Sequence, residues 1–312
     1  MTQSRTTQTP RDGLLLVDKP SGCTSHDVVA RVRRILRQKK IGHCGTLDPS
    51  ATGLLLLTVG RATRLTRFLI RASKAYEGTI RFGMVTDTYD LDGTVVEEFP
   101  TEGLTEDAIR GAMEGFLGVH PQTPPPYCAK KVGGVKYYEL ARRGEEVPQE
   151  PKEVTVYEFH PMDPWQAGED LRFFLSCVSG TYARSLAHDT GQQLGCGGVL
   201  SSLRRTKVGS FDVSGAIGLD DLKERVEAGE DIGHAWLPFD EIPLPFNQVV
   251  ADPQQEKRIQ HGQTVLMREL EGSEGDWIKV MNRRRKLIAI GSVIERIGSG
   301  NVGVIQPKVV FQ

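Results

Sequence analysis

The sequence contains no C-x-x-C pair; its five cysteines, at positions 23, 44, 128, 177 and 196, are scattered and odd in number. That distribution argues against a disulfide framework or a structural zinc site and fits a reducing cytosol. No apolar run approaches the roughly 20 residues that span a bilayer, so no membrane partner is expected and the chain is expected to be cytoplasmic. Residues 1–11 offer no apolar signal segment and read as a disordered tail. Also missing are a G-x-x-x-x-G-K phosphate loop, an H-E-x-x-H pair, and an H-x-E combined with P-C-x-x-C. The last absence counts against a zinc deaminase. The seven histidines show no ligand spacing, so no metal is expected. One G-x-G-x-x-G match, Gly298–Gly303, has only nine residues after it, too few for a strand–helix unit, and reads as a turn.

What is present is unevenly charged. The net charge of the 312 residues is −1, yet residues 1–75 hold 14 Lys and Arg against 4 Asp and no Glu. A basic first quarter followed by an acidic remainder points to a local site for a polyanion, with nucleic acid the favoured partner.

The chain is organised around Gly42–Gly53. Three glycines and a proline in twelve residues oppose regular structure, and Asp48 is the one strongly ionisable group in the run. Pro49 biases Asp48 toward an extended conformation, so the carboxylate projects from the loop. Before it, Gly13–Val17 reads as a buried strand. A helix follows, capped by Thr24 and Asp27, with Val28, Val29, Val32, Ile35 and Leu36 inward and arginines and lysines on the other faces. After the loop come a strand at 54–59, a short basic helix over 61–70, and an alternating strand over 75–82 that places Tyr76 on its core-facing side. Asp90–Thr94 marks a hairpin turn, Thr105 caps another helix, and Pro121–Tyr127 is too proline-rich for regular structure. The basic stretch after it reads as a mobile arm over about 121–147 that could close over a polyanion. Strands are expected at 154–159 and 171–177. A helix opens near Ala183, and Arg184 in its first turn is a cation at the wrong end of a helix dipole, which suggests a specific anionic partner. Leu203–Thr206 leads into a short strand, and 219–228 is a small acidic helix. Pro243–Pro245 punctuates a domain boundary, beyond which short strands form a small β-rich module.

Two nucleophiles are on offer. Cys44 could add to a pyrimidine ring, but a methyl transfer by that route needs a donor pocket for which no glycine-rich strand–helix signature exists, and Cys44 reads better as a small loop residue. The remaining set is Asp48, Arg184 and Tyr76. A nucleophilic carboxylate held away from water needs a fixed cation to oppose desolvation, and a tyrosine can stack on a base.

G-H-C-G-T-L-D-P-x-A-T-G-x-L, with Lys19-Pro20 and Ser25-x-Asp27 upstream, resembles the bacterial tRNA pseudouridine-55 synthase (TruB) family. Lys74-Ala75-Tyr76, Gln122-x-Pro124-Pro125-x-Tyr127, Gly180-Thr181-Tyr182-x-Arg184 and Leu203-Arg204-Arg205 follow in order. The resemblance implies an α+β fold of the pseudouridine synthase type over 12–245, with a mixed, largely antiparallel central sheet and flanking helices, and a PUA-like RNA-binding domain over 246–312. It implies isomerisation of uridine 55 in the tRNA T-loop by base flipping, with no cofactor, no required protein partner and a monomeric enzyme. By the same matching, Asp48 is the nucleophile, Tyr76 contacts the target base and could take a proton, Arg184 pairs with Asp48, Tyr182 lines the pocket and Leu203 packs beneath it. His43 helps hold the opened T-arm, and Lys19 and Lys131 face RNA. Cys44 and Cys128 depart from the family's usual Thr and Ser; both are small. Whether Asp48 attacks the uracil ring or the ribose carbon stays open, and an RNA chaperone or a guide-RNA-dependent relative are the alternatives.

Overall fold

The computed structural model describes residues 12–127, 150–298 and 300–311, together with the backbone of 131–132 and 135–136. The expected tail over 1–11 lies outside these residues, as do Cys128, the Lys131 side chain and most of the expected arm.

In chain order the strands are β1 (Gly13–Lys19), β2 (Ile41–His43), β3 (Thr52–Val59), β4 (Lys74–Phe82), β5 (Met84–Thr86), β6 (Val95–Glu98), β7 (Gly118–Gln122), β8 (Lys131–Val132), β9 (Val135–Lys136), β10 (Lys152–Pro161), β11 (Leu171–Cys177), β12 (Gly198–Val208), β13 (Phe211–Asp212) and β14 (Trp236–Pro238). Beyond residue 245 follow β15 (Asn247–Ala251), β16 (Val265–Arg268), β17 (Trp277–Asn282), β18 (Leu287–Arg296) and β19 (Val302–Val310). The large sheet runs β14-β1-β3-β12-β4-β11-β10-β7, with β2 added to β3 and β13 to β12. All its pairings are antiparallel except β3 with β12, where Thr52 faces Arg204 and Gly53 faces Arg205. This is the mixed, largely antiparallel sheet that the resemblance implied. Its one parallel seam begins where the Gly42–Gly53 loop ends.

Strand β3 is central, and its run Leu54–Leu57 is fully buried on both faces. A strand covered on both sides needs no polar alternation, which is why the run is continuous. Leu55 and Leu57 pack with Val28, Val29 and Val32 of the helix Ser25–Ile35. That helix starts as expected, with Thr24 accepting from the Asp27 amide and Asp27 reaching back to Thr24. Leu54 and Leu56 share the opposite core with Met281, Leu287 and Val309 of the second sheet, β15-β17-β18-β19-β16, and with Phe311 just after it.

Several elements differ from expectation. The 203–206 segment lies inside the eleven-residue β12; bulges at Leu200/Ser202 and Arg205/Lys207 break its alternation and hide its length. Pro121 sits within β7, at the edge of the sheet, where a missing N–H costs no ladder bond. Residues 60–65 form a 3-10 turn before a single α-turn, Thr66–Leu69. Strands β15 and β16 and the helix Pro253–Gln260 were not expected; that helix buries only Ile259 and so carries little apolar periodicity.

The basic segment over 61–67 has an unexpected place. Arg61 lies over the Phe239 ring, Arg64 over Phe311, and Arg67 over Phe68 and Trp277. Arg64 also donates to the Val310 carbonyl. Arg64 and Arg67 reach the second sheet at Val310 and Trp277, so part of the sequence's basic excess makes contacts within the protein, while all three arginines stay exposed.

Candidate active site

The loop between β2 and β3 is held from below at nearly every residue. The Cys44 amide donates to the Leu56 carbonyl at 2.9 Å. Buried Ser25 accepts from the Leu47 amide at 2.9 Å and donates to the Leu47 carbonyl at 3.3 Å. Arg205, fully buried, donates to the Leu54, Gly45 and Thr46 carbonyls at 2.7, 3.2 and 3.4 Å. Lys19 gives its ammonium protons to the carbonyls of Pro20, Pro49 and Ala51 at 2.9, 3.1 and 2.7 Å. Backbone anchored in this way leaves the Asp48 side chain as the projecting group, about two-fifths exposed.

Lys19 therefore corrects its expected role. Its side chain is completely buried beneath the loop, so it does not face RNA. Burial lowers its pKa, while the nearby Asp48 carboxylate is among the groups that oppose that shift.

Arg184 meets Asp48 from the first turn of the helix Ala183–Gln193. Its Nε lies 3.0 Å from Asp48 Oδ2, and Nη2 donates to Oδ1 at 3.4 Å. The Nε contact is close but not aligned as a hydrogen bond, so the pair is held as an ion pair with one weak hydrogen bond. The guanidinium is itself fixed: Nη1 donates to the Thr88 carbonyl at 2.9 Å and lies 3.4 Å from Asp90 Oδ2, and Nη2 donates to the Tyr127 carbonyl at 3.0 Å. The misplaced cation inferred from the dipole thus has two carboxylates. The contrast in exposure matters. Arg184 is 6% exposed and Asp48 41%, so the cation is built in while the carboxylate can reach a substrate.

Tyr76 is buried on β4, in the same core as Leu47 and Ala51 of the loop, and Leu203 packs against that core half-buried. Burial pushes the Tyr76 phenol up to about 12, with Arg205 opposing the shift. At neutral pH Tyr76 is thus a protonated phenol, able to donate a hydrogen bond and ill suited to accepting a proton as phenolate. His43 ends β2 edge-on to His26, ring centroids 5.2 Å apart; burial and the neighbouring His26 and Arg205 lower its pKa, which favours neutral imidazole. Tyr182 caps the Arg184 helix, its amide donating to Gln122 Oε1 at 2.8 Å and its carbonyl accepting from Gln122 Nε2 at 3.0 Å. Ser185 Oγ adds a bond to the Thr123 carbonyl at 2.8 Å. The proline-rich segment is therefore fastened to the helix that carries Arg184.

Asp48, Arg184, Tyr76, Leu203, His43 and Tyr182 all belong to this region; Lys19 lies under it. Sequence reading missed Asp90, Arg205 and the clamping roles of Gln122 and Ser25. Gln122, Ser25 and Arg205 were visible as motif positions without a role, and Asp90 looked like a turn residue. Burial raises the Asp90 pKa, with Thr88 and Arg184 opposing it. Among the described residues no cluster of His, Cys, Asp and Glu could hold a metal ion, and no helix is long and apolar enough to cross a membrane.

The chain is similar to known proteins over most of its length. The TruB family pseudouridylate synthase N-terminal domain matches residues 33–183, and the tRNA pseudouridylate synthase B C-terminal domain matches 184–249. The tRNA pseudouridine synthase B of Solibacter usitatus is 41% identical over 284 residues, covering 91% of this chain and 96% of the relative. That of Opitutus terrae is 50% identical over 212 residues, 68% of this chain and 87% of the relative. Among solved structures, a Cbf5-Nop10-Gar1 complex matches with a TM-score of 0.74 at 26% identity, covering 96% of this chain and 85% of the other. An H/ACA RNP bound to a substrate RNA containing 2'-deoxyuridine has the same fold, with a TM-score of 0.72 at 24% identity over 99% of this chain and 92% of the other.

Proposed function

The chain belongs to the TruB family of pseudouridylate synthases, and from that premise we propose that it isomerises uridine 55 in the T-loop of tRNA to pseudouridine, with Asp48 as nucleophile. The observation that carries the residue assignment is the half-exposed Asp48 carboxylate held against the buried Arg184 guanidinium. A carboxylate so placed stays oriented when RNA excludes water from the pocket. Attack by Asp48 on the target uridine, at the ring or at the ribose carbon, frees the base from its N1–C1' bond. The base rotates and rejoins through C5; the proton lost from C5 is matched by one gained at N1, so no cofactor or co-reactant is consumed. The target base must leave the stack for this to happen. Tyr76, Leu203 and Tyr182 are proposed to enclose the flipped base, and His43 to support the opened arm. The boundary near 245 is read as separating a catalytic domain from a PUA-like RNA-binding domain, the chain acting as a monomer without guide RNA.

The test is pseudouridine mapping on an unmodified tRNA transcript incubated with the purified chain alone. Product at position 55 is expected from the parent, and none from Asp48→Asn, which should keep tRNA affinity. Unaltered turnover in Asp48→Asn refutes the nucleophile, and a parent that binds but never converts tRNA favours a chaperone.

A further inference from the structure

Tyr89 occupies the left-handed region, with φ of 65°, a conformation that side chains other than Asn, Asp and Gly seldom adopt. It lies between two of the residues that hold Arg184 in place. Thr88 offers its carbonyl to Nη1 and Asp90 its carboxylate to the same nitrogen. The Tyr89 backbone is pinned at both ends, its amide donating to the Thr86 carbonyl at 3.3 Å and its carbonyl accepting from the Leu200 amide at 3.0 Å. Its ring lies parallel to that of His188, centroids 3.8 Å apart and planes at 8°. His188 stands one helical turn after Arg184 on the same helix, so the two side chains share a face. The Nδ1 of His188 is buried with no hydrogen-bond partner among the described residues. Stacking, not a bond to that nitrogen, is what the ring's position provides.

We infer that Tyr89 is a positioning residue for the reaction: stacked on His188, it holds the 86–90 turn in the strained conformation that aims the Thr88 carbonyl and the Asp90 carboxylate at Arg184. The helix thereby supplies both the guanidinium and, one turn later, the ring that fixes the guanidinium's other partners. An uncompensated left-handed tyrosine would relax toward ordinary backbone angles and carry both acceptors away. The inference rests on the reading of Asp48 and Arg184 as the reacting pair.

Single-turnover conversion at saturating tRNA transcript, tRNA binding, and hydrogen exchange at the Leu200 amide test it together. His188→Ala and Tyr89→Ala each remove the stack and leave a residue that the left-handed region penalises. Each is expected to slow conversion about tenfold, the worth of one aromatic pair, without weakening tRNA affinity. The double variant should be no slower than either single, because both remove one interaction. Tyr89→Phe and His188→Phe keep two rings and should restore the parental rate. The Leu200 amide should lose protection in the two slow variants and keep it in the Phe variants. Parental rate and protection in both His188→Ala and Tyr89→Ala overturn the inference, as does weakened affinity with a parental rate at saturation. The Asp48→Asn control tests the underlying reading separately. If that reading fails, Leu200 protection still decides whether the stack holds the turn.

Discussion

Gly53→Ala separates two explanations for the glycines of the catalytic loop. Glycine could be needed there so that RNA can come close, or because the protein's own backbone already has. The structure favours the second. Gly53 has φ of 98°, and a Cβ there would fall 2.3 Å from the Arg205 carbonyl oxygen and 2.8 Å from its amide nitrogen, contacts no side chain sustains. Gly22, with φ of 81° and nothing within 4 Å of its own added Cβ, is the matched control. In Gly22→Ala only the left-handed backbone is penalised, about 1–2 kcal/mol. Gly53→Ala adds overpacking against backbone of about 1–3 kcal/mol, for a total of about 2–5 kcal/mol. At roughly 2–4 °C per kcal/mol, the expected fall in Tm is about 4–20 °C, larger than that of Gly22→Ala. The added methyl also pushes β12 from β3 where the Arg205 side chain holds the Gly45 and Thr46 carbonyls, so conversion should slow even in the folded fraction. Thermal unfolding by circular dichroism and single-turnover conversion read the two effects. A Gly53→Ala chain that melts with the parent but binds tRNA more weakly would refute the reasoning and return the glycine to RNA contact.

Lys19→Met should leave the slope of log Kd against log salt unchanged, because a fully buried ammonium meets no phosphate. It should also cost about 1–3 kcal/mol of stability through carbonyls left without a donor; a shallower salt slope with parental Tm would contradict the buried role. Cys44→Thr should convert tRNA at the parental rate, and loss of turnover would revive the thiol as a nucleophile. Its pH profile carries a second expectation. Burial pushes the Cys44 thiol up to about 12, from an ordinary value near 9. Below pH 9 the thiol is protonated in both folded and unfolded chains; between 9 and 12 only the unfolded chain ionises, so stability falls as pH rises. Urea unfolding across that window should show a shallower fall in Cys44→Thr, and identical slopes would refute it.

The sequence showed the loop and its flanks well because each carried a local signal. Glycines and a proline marked the loop, Thr24 and Asp27 marked a helix start, and the apolar run from Leu54 marked a strand. Arg184 was legible through a misplaced charge. Asp90 was not, because an acidic residue in a D-x-D-G turn has an ordinary reason to be there, and only the fold brings it 3.4 Å from Arg184. The charge count succeeded as a sign and failed as a map. Lys19 and Lys74 are buried on backbone carbonyls, while Arg61, Arg64 and Arg67, though exposed, lie over aromatic rings of the protein itself. Composition cannot distinguish a cation facing solvent from one capping carbonyls.

The buried cations beneath the loop share a logic. Lys19, Lys74 and Arg205 bind carbonyl oxygens, and among the described residues none of them forms an ion pair with a carboxylate. Burial lowers the Lys74 pKa to about 8, with Arg205 adding to the shift. Burying a cation on neutral acceptors is costly, and an acidic partner would have relieved it. A carboxylate there would also have competed with Asp48 for the positive field. Asp48 is among the anions that Lys19 faces, and the bonds of Lys19 and Arg205 to loop carbonyls keep the loop from sinking to meet them. The parallel seam makes this possible: β12 runs beside the start of β3 in the same direction, placing Arg205 opposite Gly53 and beneath the loop that precedes it. An antiparallel neighbour could pair with β3 equally well, but the helix leading into β12 would then approach from the other end of the seam, and Arg184 would not meet Asp48.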